Sequence, residues 1–216
     1  FAGTDDGVWR SVDNGLTFNR TNFPDKNIQI WSFLTIQNEP NIMYAGASPI
    51  DIYKSINFGK SWDKLNTPNI KEHCSGPFSP RVMRMVQKPG NPEEIYAALE
   101  ISGAMRTVNG GNTWSDLSDD LIQLAKLPHL QSSIVQDKTL AEGMLDAHAI
   151  TISPLDPERV LIALRMGIFK TDNGGENWQD TEIARFSPTT YARDIKTSPH
   201  NPVSYTHLRA HETVDY

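Results

Sequence analysis

Residues 54–62 read KSINFGKSW, and three near copies of this stretch occur at 10–18, 106–114 and 170–178. In each copy a Ser or Thr is followed by Asp or Asn two residues later, by Gly four residues later and by an aromatic residue seven residues later. Asp and Asn side chains accept hydrogen bonds from backbone N–H groups just ahead, and Gly supplies a positive φ. Each copy therefore predicts a tight β-hairpin turn with the aromatic ring packed beneath it. The Asp/Asn, Gly and aromatic positions are Asp13, Gly15 and Phe18; Asn57, Gly59 and Trp62; Asn109, Gly111 and Trp114; and Asn173, Gly175 and Trp178.

The segments around these turns repeat as well. Upstream of three turns, at 30–47, 82–100 and 147–165, an apolar strand is followed by an Asn/Asp/Glu–Pro turn and a second β-rich strand. A short third strand enters each turn and a fourth leaves it, which gives four antiparallel strands per unit, named A to D. The turns recur at intervals of 44, 52 and 64 residues, in the range of propeller blades with insertions. The sequence therefore predicts an all-β protein, a β-propeller fragment with about four blades.

The pattern Ser/Thr-x-Asp/Asn-x-Gly-x-Thr/Ser-aromatic resembles the Asp-box (BNR) repeat of sialidase-like, sortilin-like and related β-propellers, over residues 1–202. Three of the four copies have Asn in place of Asp, and Asn177 stands where Thr or Ser is usual. These departures are expected to weaken individual hydrogen bonds. In that family the Asp box marks the fold, so the resemblance implies an architecture and no particular catalysis.

The repeat also predicts the boundaries of the blades. They fall at about 1–27, 28–79, 80–145 and 146–188, with the start of a further blade at 189–202. A closed propeller has four to eight blades, so we expect an arc from a larger propeller, or a four-blade closure in which 192–198 pairs near 1–4. Residues 203–213, VSYTHLRAHET, resemble a translated sequencing adaptor. Residues 203–216 are therefore expected to be a non-native tail.

Composition narrows the class of partner. The net charge is -6 and no run of Lys and Arg occurs, which argues against nucleic acid and anionic membranes. The single cysteine, Cys74, allows no internal disulfide, and no Cys/His cluster has the spacing of metal ligands. The sequence therefore predicts no metal, no cofactor and no membrane span, and it indicates no compartment. A saccharide, a small anionic ligand or a protein remains as partner.

Strand direction assigns the loops to two faces. The A–B and C–D turns share one regular face, and the D–A and B–C loops share the other, which we call the variable face. The longest irregular segment is 117–146, and irregular loops on a rigid scaffold are where function is usually found. It is expected to begin with a short helix over this face, with Ser118 as N-cap and Asp119 and Asp120 in its first turn.

A group of polar residues is expected to ring the variable face near the propeller axis. By alignment these are Arg84, Glu100, His148, Arg165 and Arg193, with Asp146, Tyr191 and Asp194 close by. Arginine forks bind carboxylates or sulfates in bidentate fashion, so Arg84, Arg165 and Arg193 are candidate ligand-binding residues. In sialidases, which the repeat resembles, three arginines hold the substrate carboxylate beside a Tyr–Glu pair and an Asp. That resemblance makes Glu100, His148, Tyr191 and Asp194 the candidate catalytic residues.

A structural interpretation of the same residues stands beside the functional one. Charged residues on a propeller axis commonly pair with one another, and His148 alone is more often an interior histidine than a base. Trp9, Trp31 and Tyr53 are expected to pack inside blades, and Cys74 lacks the partners of a nucleophile. Two functions therefore remain open: a scaffold that binds a ligand or protein through its variable face, and a sialidase-like glycoside hydrolase that uses Glu100. Whether the chain is an enzyme is left open.

Overall fold

The computed structural model describes residues 1–67, 70, 79–131, 144–187, 190–198, 200 and 205–209, the last five by their backbone alone. Within these residues the chain forms three four-stranded antiparallel sheets, preceded by a three-stranded sheet and followed by a two-stranded one. The strands of each sheet are hydrogen-bonded in chain order. The all-β, blade-like fold that the sequence predicts is therefore confirmed.

The strands are distributed over five sheets. The first sheet contains β1 (Ala2–Thr4), β2 (Gly7–Arg10) and β3 (Asn19–Arg20). The second contains β4 (Gln29–Ile36), β5 (Glu39–Ser48), β6 (Ile52–Ser55) and β7 (Asp63–Lys64). The third contains β8 (Val82–Lys88), β9 (Asn91–Leu99), β10 (Gly103–Thr107) and β11 (Ser115–Asp116). The fourth contains β12 (Ala147–Ser153), β13 (Asp156–Leu164), β14 (Gly167–Thr171) and β15 (Gln179–Asp180), and the fifth contains β16 (Ala192–Thr197) and β17 (Tyr205–Arg209).

The sheets are arranged around a shared centre. Strands β4, β8, β12 and β16, the strand A of their sheets, contact one another in succession. Four apolar clusters fill the spaces between neighbouring sheets. Strand β9 shows how the sequence builds them: Tyr96 and Ala98 face the fourth sheet, whereas Ile95, Ala97 and Leu99 face the second. Because side chains alternate along a strand, a strand buried on both faces needs a continuous apolar run.

The four repeated turns share one hydrogen-bond pattern. In the first turn Ser11 Oγ donates to Asp13 Oδ1 at 2.7 Å, and Gly15 N donates to Ser11 Oγ at 2.8 Å. Thr17 donates from its backbone N and its hydroxyl to the Asp13 carboxylate. These hydrogen bonds, with that of the Thr17 hydroxyl foremost, lower the pKa of Asp13 to about 2. The same pattern recurs in the other three turns, and in the fourth Asn177 Oδ1 accepts from Asn173 Nδ2 at 3.1 Å.

Three of the four closing aromatic residues pack as predicted, and the first does not. Trp62, Trp114 and Trp178 are buried, and Trp178 Nε1 donates to the Leu117 carbonyl of the preceding sheet at 3.2 Å. Phe18 is 40% exposed. Each buried ring is covered by the preceding sheet, and among the described residues no sheet precedes the one that carries Phe18.

The second turn contains a strained residue. Phe58 has a φ of 60°, and the equivalent residues of the other turns, Asn14, Gly110 and Gly174, also have positive φ. A β-carbon makes this left-handed conformation cost about 1–2 kcal/mol, except at Gly and, to a lesser extent, Asn. Burial does not compensate for that cost, because Phe58 is 50% exposed.

We expect Phe58→Asn to raise the free energy of unfolding by about 0.5–1 kcal/mol, since Asn tolerates positive φ better than Phe. Urea denaturation followed by circular dichroism measures the difference. The matched control is the reverse change in the first turn, Asn14→Phe, which we expect to destabilise the chain by a similar amount. Equal stabilities of the wild-type chain and the Phe58→Asn variant would show that the turn absorbs the strain.

One expectation about the fold needs correction. The four-blade closure is not the pairing found, because β16 pairs with β17 and β1 pairs with β2. Residues 205–209, inside the segment expected to be a non-native tail, thus occupy the strand B position of the fifth sheet.

The predicted helix exists, although its start and its position differ. Helix α1 spans Ser118–Leu124, and 3₁₀ turns occupy Pro128–Leu130 and Ile183–Arg185. Ser118 is not the N-cap: it lies inside the helix, where its hydroxyl donates to the Ser102 carbonyl at 2.7 Å. Asp120 Oδ2 accepts from Trp178 N at 2.6 Å. The helix therefore lies against the rim between the third and fourth sheets and not simply over the variable face. Most of the remaining insertion, 132–143, lies outside the described residues.

Candidate functional site

A β-bulge at the variable face positions the predicted site residues. Strands β4, β8, β12 and β16 each show a register shift around their second or third residue. The residues left unpaired at these shifts are Trp31, Met83, His148 and Arg193. Bulges re-aim side chains at sheet ends. Arg84 lies one residue beyond these bulge positions, at the position of Asp194 in β16.

Two ion pairs occupy equivalent places in neighbouring sheets with opposite polarity. In the third sheet Arg81 Nη1 lies 3.1 Å from Glu100 Oε1, and in the fourth Arg165 Nη2 lies 2.7 Å from Asp146 Oδ2. Each pair joins the residue before strand A to the residue after strand B. In both pairs a backbone hydrogen bond joins the same two residues: Glu100 N donates to the Arg81 carbonyl, and Arg165 N donates to the Asp146 carbonyl.

Asp146 is the centre of a buried hydrogen-bond network. Its Oδ2 also accepts from the Tyr191 hydroxyl at 2.9 Å and lies 3.4 Å from His148 Nε2. The Tyr191 hydroxyl in turn lies 2.5 Å from His148 Nε2. Burial by itself raises the pKa of Asp146. The hydrogen bond and charge of His148, the hydrogen bond from Tyr191 and the charge of Arg165 outweigh burial, and together they lower the pKa to about 2. Burial and the Asp146 carboxylate raise the pKa of Tyr191 to about 12, which makes a tyrosinate nucleophile unfavourable.

Glu100 has the opposite electrostatic environment. Burial raises the pKa of its carboxyl, Arg81 opposes this shift, and the nearby Asp146 carboxylate adds to it. His148 and Arg193 also act on this pKa through their charges, so these residues lie within electrostatic reach of Glu100. Its Oε2 is buried without a hydrogen-bond partner among the described residues, as is Asp146 Oδ1. The structure therefore brings together Glu100, His148, Arg165, Tyr191 and Arg193.

The three predicted anion-binding arginines are not equally available. Arg165 is paired with Asp146, and Arg84 forms an ion pair with Asp194. Arg193 is exposed, and its guanidinium carbon lies 5.2 Å from the centre of the Tyr191 ring. Two of the three positive charges are thus already neutralised by protein carboxylates.

Two residues of the site were missed by the sequence analysis. Trp31 was expected to pack inside a blade, but it is 44% exposed because it occupies the bulge position of β4. The guanidinium carbon of Arg81 lies 4.0 Å from the centre of the Trp31 ring, and Trp31 Nε1 donates to Gln29 Oε1 at 3.3 Å. Tyr53, by contrast, is buried as expected. Arg81 could have been identified as a site residue from its position directly before strand A, because Asp146 occupies the same position in the next sheet.

The described residues form neither a candidate metal site nor a helix that could span a membrane. Within it, no three His, Cys, Asp or Glu side chains are placed to hold a metal ion. No described helix is long and apolar enough to cross a membrane. Cys74 lies outside the described residues.

The chemistry that the site offers follows from burial. Glu100 and Asp146 have pKa values shifted in opposite directions, which is the arrangement used for acid–base chemistry. Glu100 is 6% exposed and Asp146 is 4% exposed, and both are paired with arginines. The groups that face solvent include the Trp31 ring, Arg193 and the side chain of Arg84, which is 41% exposed. The two carboxylates of the site are thus buried, whereas Trp31 and Arg193 are exposed.

Comparison with known proteins identifies the fold. No protein-family model matches the chain, and no curated protein matches it. Among solved structures, an ancestral GH74 enzyme matches with a TM-score of 0.60 and 17% identity, covering 90% of this chain and 24% of that one. A GH74 enzyme from Niastella koreensis matches with a TM-score of 0.50 and 13% identity, covering 78% of this chain and 24% of that one. YCF48 from Cyanidioschyzon merolae matches with a TM-score of 0.47 and 13% identity, covering 86% and 57%.

The two GH74 enzymes are β-propellers, so the chain shares their fold. The chain spans about a quarter of the length of the two GH74 enzymes. Identities this low carry no information on ligand or activity.

Proposed function

We propose that the chain is part of an Asp-box (BNR) propeller that binds a ligand through its variable face without chemically changing it. The four turns with one hydrogen-bond pattern support the assignment to the Asp-box class. In this proposal the turns stabilise the blades, and the bulge residues at the other end of strand A meet the ligand.

The observation that carries the proposal is the internal neutralisation of the charged ring. Arg84 and Arg165 are bound to Asp194 and Asp146, and Glu100 is bound to Arg81. A sialidase-like pocket needs free arginines converging on one carboxylate, and an accessible acid. These two carboxylates instead join the ends of strands A and B within their own sheets, Glu100 with Arg81 in the third and Asp146 with Arg165 in the fourth.

The exposed groups favour a saccharide as ligand. A pyranose ring can stack on the open part of the Trp31 ring, because aromatic faces are apolar and slightly negative. The Arg81 guanidinium packs over the indole ring, and Gln29 Oε1 accepts a hydrogen bond from Trp31 Nε1, so both residues orient the indole. Arg193 supplies an exposed donor for sugar hydroxyls on the same face.

Binding to cellotetraose, xyloglucan oligosaccharides and sialyllactose, measured by isothermal titration calorimetry, tests this proposal. We expect at least one neutral oligosaccharide to bind, and Trp31→Ala to weaken it about ten-fold. Trp31→Phe keeps an aromatic face and should lose about three-fold or less. Unchanged affinity in Trp31→Ala, or no binding to any of these saccharides, would leave a protein as the ligand of this face.

A glycoside hydrolase remains the second candidate. It is supported by the pKa values of Glu100 and Asp146, which are shifted in opposite directions. Glu100 would then act as the acid after a movement that exposes it. Release of nitrophenol from aryl glycosides, lost in Glu100→Gln, would establish this activity, whereas the binding proposal expects no release above the Glu100→Gln background.

A further inference from the structure

A second surface lies on the rim, on the outer side of the first two sheets. A groove of about 210 Å³ opens between β3 and the second turn, and we call it the basic rim groove. Arg10, Val12, Arg20, Asn22 and Lys60 are among its lining residues. Its floor is fixed by backbone bonds, because Asn22 N donates to the Lys60 carbonyl at 3.1 Å and Trp62 N to that of Asn22 at 3.1 Å. The groove is therefore a rigid part of the fold.

The charge of this groove is not required by the fold. The repeat places an equivalent groove of about 470 Å³ between the third and fourth sheets. There Asp116 occupies the position of Arg20, and Glu176 occupies that of Lys60. Two copies of one structural element with opposite charge show that the fold tolerates either sign.

Positive charge in the basic rim groove is available to a partner. Arg20 is held by Asp6 at 3.0 Å. Arg10 and Lys60, on the other hand, form no ion pair with any residue that the structure describes. The chain as a whole has a net charge of -6, so this groove is a local reversal of its overall sign, which electrostatic recognition can use.

Exposed apolar side chains occupy the same two turns as these cations, and Val12 lines the groove itself. Val12 is 77% exposed, Ile56 is 65% exposed and Phe58 is 50% exposed. Phe58 is the strained residue of the second turn, where the equivalent residues are Asn and Gly. Strain that packing does not explain clusters at functional positions, and exposed apolar residues next to a groove favour contact with a partner.

We propose that the basic rim groove and the apolar side chains beside it bind an extended acidic segment of a partner protein. Carboxylates of the segment pair with Arg10 and Lys60, and its apolar side chains pack on Val12, Ile56 and Phe58. This surface is on the rim, so its occupancy is independent of ligand binding at Trp31.

Fluorescence anisotropy with a labelled peptide of alternating Asp and Leu tests the proposal. We expect this peptide to bind more tightly than peptides of alternating Lys–Leu or Asp–Ser, because it alone supplies both kinds of contact. Lys60→Glu should weaken binding about ten-fold, and Phe58→Asn about five-fold, without loss of the folded circular dichroism spectrum. Raising the salt concentration should weaken binding as well.

Glu176→Lys is the matched control, since it alters the equivalent residue of the other groove and should leave the affinity unchanged. Trp31→Ala should also have no effect, which separates this surface from the variable face. Equal binding of the Asp–Leu and Lys–Leu peptides, or insensitivity to both Lys60→Glu and Phe58→Asn, would overturn the proposal. Tighter binding of single-stranded oligothymidine, lost in Lys60→Glu, would overturn it in favour of nucleic acid.

Discussion

Asp146→Ala is expected to lower the free energy of unfolding by about 3–5 kcal/mol, because it removes the buried carboxylate of an ion pair and leaves the partly buried Arg165 without its partner. Asp146 is 4% exposed and accepts bonds from Arg165 and Tyr191. Removing it also deprives the Tyr191 hydroxyl of an acceptor, and unsatisfied buried groups are costly. Urea denaturation of the wild-type and variant chains measures the loss.

The matched control is Asp194→Ala, in the same charged ring. Asp194 pairs with Arg84, but their side chains are 21% and 41% exposed. Exposed pairs contribute about 1 kcal/mol or less, so this variant should remain close to wild type. A loss as large as that of Asp146→Ala would mean that burial does not distinguish the two pairs.

The effect of Asp146 on stability also has a defined pH dependence. Its pKa is about 2 in the folded chain and 3.8 without the fold. Between these values the unfolded chain binds the proton more readily, so stability from this group is lost as the pH falls from 3.8 towards 2, by about 2 kcal/mol in total. Wild type and Asp146→Ala should therefore converge in stability over this range.

Trp178→Ala is expected to cost about 3–5 kcal/mol, as for other large aromatic residues removed from a core. The ring is 3% exposed and lies in the cluster between the third and fourth sheets. Its Nε1 also donates to the Leu117 carbonyl of the preceding sheet. The substitution therefore removes packing and a hydrogen bond between sheets at once.

Phe18→Ala is the control for Trp178→Ala, because Phe18 occupies the same position of the first turn but is 40% exposed. We expect it to cost about 1 kcal/mol or less, as for exposed residues in general. Thermal unfolding by calorimetry distinguishes the two. Equal losses at both positions would show that the aromatic residue acts within its own turn and not through the neighbouring sheet.

The fold could be predicted from the sequence because its information is local and repeated. A turn such as Asp13–Gly15 makes its own hydrogen bonds, so its sequence pattern identifies it without knowledge of the rest of the chain. Strand β9 could be recognised from its apolar run, which both neighbouring sheets require. The repeated turns then placed the strands in phase.

The site could be predicted only in part, because its details depend on register. A bulge at the start of strand A shifts each following residue by one position, and no residue type in the sequence marks it. The sequence alone therefore leaves Trp31 among the residues expected inside a blade. The pairing of arginines with carboxylates depends on contacts between residues far apart in the sequence, such as the contact of Arg84 with Asp194.

Saturation-transfer NMR of the chain with cellotetraose or a xyloglucan oligosaccharide tests most directly whether the variable face binds a saccharide without cleaving it. We expect transfer from the protein to the sugar ring protons, lost in Trp31→Ala, with anomeric signals that stay constant over a day. Transfer that persists in Trp31→Ala, or new reducing-end signals that grow with time, would contradict it.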